Sequence, residues 1–404
     1  MEKLIKPRLL AAIQKAGDLS NRQFGFRKGK STIDAINTIV NAARATERGN
    51  HHSRPVCLLV TLDVKNAFNT AKWSDMYLLR VIEDYLDNRM LVYDSRDGPG
   101  EKEVTAGAAQ GSILGPDLWN ASDDSILTTE MPEGSFLVGY ADDIAAVIVA
   151  RDQGLAQLQL NQVMRRVNKW MGDHGLRMAA EKTVIVLVTK RHLPISPEML
   201  VGENPTAVRD SVRYLGVMID KKLTFWEQMR KAADKAASVT ARLSRLMANI
   251  EGSRPCKRKL LMSITQSIML YGAEIWADAL KAKKYRKRMA SVQRMGALRV
   301  ACSYRTVSES AVLVIAGIIP IDLLAFEKKR IGQWKNEPDK ARVKAEERTS
   351  TMTNWQDRWL SDATGRWTAR LIKNLEAWIN RAHGEVNYYV TQFLTGHGLF
   401  QTYL

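Results

Sequence analysis

The sequence predicts an α+β chain, with an antiparallel sheet packed on helices in its first half and helices alone in its second. Two observations predict it. Apolar runs of strand length at 55–62 and at 135–149, the latter broken by an acidic turn, lie among amphipathic helical segments. After Asp220 strand patterns largely vanish, and long basic segments with helical spacing dominate to the end. A chain of 404 residues suffices for two or three domains. The expected partition is 1–220, 221–337 and 338–404.

The elements follow in order. Leu4, Ile5, Leu9, Leu10 and Ile13 fall at helical spacing, with Pro7 permitting a start or a kink. A glycine-punctuated basic loop, Gln23-Phe-Gly-Phe-Arg-Lys-Gly-Lys-Ser-Thr32, precedes a helix over 33–46. The unbroken apolar run 55–62 reads as a strand buried on both faces, and it ends at Asp63. A helix containing Trp73, Met76, Leu79 and Val81 comes next, then short strands over 91–107 around Arg96-Asp-Gly-Pro-Gly100. Gln110-Gly-Ser-Ile-Leu-Gly-Pro-Asp-Leu-Trp119 is a loop running into a helix. Residues 135–140 and 144–149 flank Ala141-Asp-Asp143, a hairpin with carboxylates at its tip. Leu160, Val163, Met164, Val167 and Met171 mark an amphipathic helix that stops near Gly175. Residues 183–189 and 211–219 each read as a strand. The charged stretch 338–353, poor in large apolar side chains, reads as a linker.

Composition narrows the function classes. A formal charge of +17 favours polyanions, because each neutralised phosphate releases a condensed counterion. A basic protein without such a partner has the same composition. The three cysteines, Cys57, Cys256 and Cys302, are too scattered for a disulfide framework or a zinc cluster, which points to a reducing, intracellular setting, nucleus or cytoplasm. No apolar run approaches a membrane span, and charges interrupt the N-terminus where a secretion signal would need a core, so no membrane partner is expected.

Asp63, Asp142 and Asp143 carry the chemistry. Phosphoryl transfer to a hydroxyl needs that hydroxyl activated and the leaving pyrophosphate neutralised, work that two Mg²⁺ ions held by hard oxygen ligands perform. Carboxylates at the ends of neighbouring strands would be fixed by the sheet and exposed by the turn. Either acidic site alone is equally an ordinary turn acid.

Taken together, the motifs resemble the reverse transcriptases of non-LTR, LINE-type retrotransposons from Gln23 to about Phe225, with further similarity almost to the C-terminus. The basic loop from Gln23 to Ala35 resembles the fingers motif, and Thr61-Leu-Asp-Val-Lys-Asn-Ala-Phe68 the first catalytic motif. Gln110-Gly-Ser-Ile-Leu-Gly-Pro116, Tyr140-Ala-Asp-Asp143, Gly175-Leu-Arg-Met-Ala-Ala-Glu-Lys-Thr183 and Tyr214-Leu-Gly-Val217 complete the set in order. The resemblance implies a right-hand polymerase with fingers and palm, then an α-helical thumb and a C-terminal helical region. It implies RNA-directed DNA polymerase activity with Mg²⁺ (or Mn²⁺), an RNA template, a DNA primer or target DNA, and dNTPs.

It also implies roles. Asp63 and Asp142 would be metal ligands, with Asp143 beside them. Arg27, Lys28 and Lys30 would close over the triphosphate, Phe68 would exclude a 2′-hydroxyl, and Gln110 and Gly111 would approach the nucleotide. Lys182 would protonate the departing pyrophosphate, and Tyr214, Leu215 and Gly216 would grip the primer end. Lys257, Arg258, Lys259, Lys283, Lys284 and Arg286 would track a duplex backbone, although solvated helix faces explain such charge runs as well.

The sequence departs from the family in three places. It begins just before the fingers motif, Ala108-Ala109 replaces a usual proline, and Leu404 falls where such elements often continue into a cysteine/histidine knuckle. It therefore reads as a truncated copy of a longer polyprotein, either active or a remnant that only binds RNA or duplex. A group II intron maturase shares the chemistry and is more distant.

Overall fold

The computed structural model describes residues 1–47, 54–65, 67–70, 72–73, 80–96, 98–109, 111–191, 198–202, 204–250, 252–335 and 337–397. Gln110, Met76 and Leu79, singled out above, lie outside them. The chain divides into two compact units, Met1–Leu223 and Thr224–Leu404.

In the first unit, helix α1 (Glu2–Lys15) buries Ile5, Leu9 and Ile13, one stripe at four-residue spacing. Ser31 caps α2 (Thr32–Ala45), its side chain accepting from the Asp34 amide. Strand β1 (Val56–Leu62) is buried at every position except Thr61. Its even residues, Val56, Leu58, Val60 and Leu62, share one core with Leu9 of α1 and with Leu118, Trp119, Leu160 and Val163. Cys57 and Leu59, which point the other way, are equally buried. The expected two-faced burial is present.

Two short helices, α3 (Ala67–Thr70) and α4 (Arg80–Leu86), precede an exposed hairpin of β2 (Arg89–Ser95) and β3 (Gly98–Val104). Helix α5 (Gly115–Thr128) leads to the hairpin β4 (Ser135–Tyr140) and β5 (Asp143–Ala150), and then to α6 (Gln153–Asp173), capped by the Asp152 carboxylate. Strand β6 (Val184–Val188) completes a four-stranded antiparallel sheet in the order β4-β5-β1-β6. A small hairpin of β7 (Glu198–Val201) and β8 (Asn204–Ala207) follows.

Residues 211–219, read as one strand, form instead the hairpin β9 (Ser211–Tyr214) and β10 (Val217–Asp220). Leu215 and Gly216 both take positive φ, 45° and 86°, which is the backbone of a two-residue hairpin turn. The apolar run read as one strand, whereas the tight turn that the resemblance implies at Gly216 is present.

The second unit is helical. Helices α7 (Trp226–Ser244), α8 (Pro255–Met269) and, after the short α9 (Ala273–Trp276), α10 (Lys283–Val300) pack on one another. Gly296 lets α10 approach α8, since a Cβ there would stand 2.9 Å from the Met262 sulfur. The apolar α11 (Glu309–Ala316) and α12 (Ile321–Gln333) follow, then α13 (Lys340–Ser361), α14 (Arg366–Leu371), α15 (Leu375–Ile379) and α16 (Tyr388–Thr395).

Most of the stretch read as a linker belongs to α13. Asp339 caps it, and Arg342 pairs with Glu346 one turn on at 2.8 Å. Arg330 and Glu327 of α12 pair with Glu347 and Arg348 of α13. The charges that suggested a linker are used between helices. Among the described residues no single helix is long and apolar enough to cross a membrane.

Candidate active site

The register of the central sheet brings the acids to one end. Leu62 pairs with Ile144 and Tyr140 with Asp143, so Asp63, one residue past β1, continues alongside Asp143 at the start of β5. Ala141 and Asp142 form the intervening turn, Ala141 at φ 56°.

Two elements hold that turn. The basic loop runs beside β4, with Phe24 N–H donating to Gly139 O at 2.9 Å and Gly139 N–H to Arg22 O at 3.0 Å. Its Gly25 lies so close that a Cβ would stand 2.2 Å from the Ala141 nitrogen. From α5, the Trp119 indole N–H donates to Ala141 O at 3.1 Å, and the Asn120 amide donates to Gly25 O at 2.9 Å.

Asp63 is fixed from the other side. Ala179 N–H donates to Asp63 O, and Lys65 N–H to Arg177 O, so residues 177–182 run beside the catalytic strand end. This places the Lys182 ammonium 2.8 Å from Asp63 Oδ2. The hydrogen bond and the charge of Asp63 raise the pKa of Lys182. The Asp143 carboxyl is pushed up by desolvation and then by the charges of Asp142 and Asp63.

A cavity of about 560 Å³ lies at this end of the sheet, lined by Asp63, Asp143, Lys182 and the β9–β10 turn. Tyr214, at the end of β9, is buried, and its hydroxyl has no partner among the described residues. Burial, then the charge of Asp143, raises its pKa. The residues assigned to the primer grip therefore share a cavity with two of the carboxylates and the lysine.

Residues 1–219 match the family "Reverse transcriptase (RNA-dependent DNA polymerase)". This chain belongs to the reverse transcriptase family. It is 28% identical to the putative 115 kDa protein of the type-1 retrotransposable element R1DM of Drosophila melanogaster, covering 95% of this chain and 39% of that protein. It is also 28% identical to a Pol polyprotein of the R1 2 element of Nasonia vitripennis, covering 74% and 78% respectively. The RNA-directed DNA polymerase of the jockey element of Drosophila melanogaster is 28% identical, over 70% of this chain and 32% of that enzyme. The first two relatives are named for type-1 retrotransposable elements and the third for a mobile element. The chain spans well under half the length of the first and third.

In this member of the reverse transcriptase family the three acids do not close into one ligand set. Among the described residues no group of three His, Cys, Asp or Glu has metal-holding geometry. Asp63 is paired with Lys182, and the exposed Asp142 stands outside the cavity lining. Their mutual repulsion, read at Asp143, still marks a place where a cation would be favoured, and hard carboxylate oxygens supplemented by water suit Mg²⁺.

Phe68 packs edge-on to Phe26 and 4.8 Å from the Trp119 ring that supports the turn. Lys28 and Gly111 are exposed, Gly111 at φ 87° with open space around it. Arg27 and Lys30 are not loose arms over a triphosphate. Arg27 donates to Leu19 O and Ser20 O and pairs with Asp18, while Lys30 reaches Asn21 O and lies over the Phe24 ring.

In the second unit, Lys257, Lys259, Lys283, Lys284 and Arg286 are exposed, with Lys284 4.5 Å above the Trp226 ring. Arg258 corrects the duplex-tracking assignment. It is 2% exposed and donates to the carbonyls of Ser253, Ala248 and Arg299, so it ties the unit together from inside.

Sequence reasoning missed Gly25, whose tight contact is long-range, and Asp123. Asp123 is buried in α5 with both carboxylate oxygens unpartnered among the described residues. Burial pushes its pKa up to about 8, helped by the charges of Asp124 and Asp142. The helical phase that buries Trp119 and Asn120 also buries Asp123, and that was the available signal.

Proposed function

We propose that this chain performs RNA-directed DNA synthesis for a non-LTR retrotransposon, extending a primer 3′-hydroxyl along an RNA template. The observation that carries this reading is the shared cavity of Asp63, Asp143, Lys182 and the Tyr214–Gly216 turn within a reverse transcriptase domain. Asp63 and Asp143, which share the cavity, would hold Mg²⁺ or Mn²⁺, with Asp142 joining from the adjoining turn when the ion binds, and the ion would supply activation of the hydroxyl and neutralisation of pyrophosphate.

The chain's own residues do the rest. Lys182, kept protonated by Asp63, holds a proton for a pyrophosphate oxygen. The hairpin turn at Leu215-Gly216 offers backbone on which the primer end rests. Phe68, braced by Phe26 and Trp119, presents a fixed ring where a 2′-hydroxyl would otherwise fit. Lys28 would reach toward an incoming triphosphate, and the open space at Gly111 leaves room for its sugar.

The test is extension of a DNA primer on an RNA template with Mg²⁺ or Mn²⁺, comparing the wild type with Asp142→Ala. Extension that falls to background in the variant supports the reading. Equal extension by both removes the assigned chemistry, and template binding with no incorporation by the wild type points to a non-enzymatic remnant.

A further inference from the structure

Helix α10 ends in a sharp reversal. Cys302 takes φ 54°, costly for a residue with a Cβ, and Ser303 N–H then bonds back to Leu298 O at 2.9 Å. The returning segment encloses, with α7 and α10, a cavity of about 830 Å³, within the range of roughly 300–1,000 Å³ usual for ligand pockets.

Three arginines, Arg294, Arg299 and Arg305, line it, and no carboxylate does. Arg294 is positioned by bonds to the carbonyls of Arg305 and Val307, and the acid that feels its charge, Glu309, lies outside the lining. Among the described residues the Arg299 side chain makes a single long contact, to Asn249 at 3.5 Å. In the wall, Ser303 is 5% exposed and its hydroxyl has no partner among the described residues.

An aromatic rim adjoins this basic hollow. Tyr304 lines the cavity, is 44% exposed, and is held by a hydroxyl–hydroxyl bond to Tyr388 at 2.6 Å. Tyr389, 72% exposed, stands beside Tyr388 at 5.5 Å between ring centroids.

We infer that this hollow in the second unit is a binding site for single-stranded nucleic acid, with phosphates on Arg299 and Arg305 and a base stacked on Tyr304. Cations without acids favour phosphate, a buried unpaired hydroxyl favours a polar ligand atom, and exposed tyrosine faces favour bases. An acidic peptide would satisfy the arginines but leave the aromatic rim without a partner. The site is read from binding chemistry alone and does not depend on catalysis.

The test uses the whole chain without divalent metal or dNTPs. A fluorescein-labelled strand of about twelve nucleotides, as RNA and as DNA of one sequence, is titrated by anisotropy at several salt concentrations. Arg299→Ala with Arg305→Ala weakens binding roughly tenfold and lowers the salt slope by about 1.4, the value for two phosphates of a single strand. Tyr304→Phe, which keeps the ring, binds like the wild type, whereas Tyr304→Ala weakens a base-bearing strand and not an abasic one. Photocrosslinks from 5-iodouridine map to Tyr304 or Tyr389. Binding of either strand on these terms supports the site.

Unchanged affinity and slope in the double arginine variant, with a native melting curve, overturn the inference, as do crosslinks confined to other segments. Strand binding is scored without metal or dNTPs and incorporation with both, so failure of this site and failure of the polymerase assignment are read separately.

Discussion

A Cβ on Gly25 would stand 2.2 Å from the backbone nitrogen of Ala141. The fingers loop thus touches the acidic hairpin through a contact only glycine permits. Gly25→Ala must displace one or the other, because the obstacle is backbone and cannot rotate away. The expected result is a loss of about a hundredfold in primer extension, the order of effect that a shift near 1 Å produces at a reacting centre. Extension rates within twofold of wild type would show that the hairpin tolerates the shift.

Lys182 and Asp63 make opposite predictions for rate and metal dependence. Lys182→Gln removes the proton donor, lowering the turnover rate by roughly a hundredfold or more. It also frees the Asp63 carboxylate from its 2.8 Å ion pair, so half-maximal activity should need less Mg²⁺. A magnesium titration of single-nucleotide incorporation checks both, and an unchanged midpoint would refute the competition.

Asp123 should give stability a pH dependence. Its folded carboxyl is pushed up to about 8 from an ordinary 3.8, so the fold favours the protonated form. That contribution is complete below about 3.8 and is lost as pH rises through about 8. Asp123→Asn is neutral throughout. Melting curves of the two should approach each other near pH 4, with the variant gaining at least about 4 °C by pH 9. A difference that does not change with pH would sink the assignment.

Arg258 is a stability residue of the second unit. Arg258→Ala removes three bonds to backbone carbonyls and should cost roughly 3 kcal/mol in thermal or denaturant unfolding. Arg258→Lys should not restore it, since one ammonium cannot span three acceptors set around a planar fork. A melting temperature unchanged in the alanine variant contradicts the burial.

The parts of the site legible in the sequence were those written locally. The run ending at Asp63 and the runs flanking Asp142 and Asp143 announce buried strands with acidic ends, and the register places them together. What escaped depended on long-range contact. The strand break at Leu215-Gly216 was not written in the apolar periodicity, although the resemblance implied a tight turn there, and the charges after Asp339 read as a linker until α12 supplied their partners. Arg258 had the composition of a surface cation, and only packing shows its three carbonyls.

The four-stranded sheet has a further consequence. Its outermost strands are not bare, because Gln23 bridges to Gly139 on β4, and Val208 bridges to Ile185 on β6 with Arg209 N–H donating to Ile185 O. Both margins are thus shielded by the chain's own loops. These contacts limit where a foreign strand could add, so the platform that carries the acids is partly protected against the intermolecular pairing by which exposed β structure aggregates.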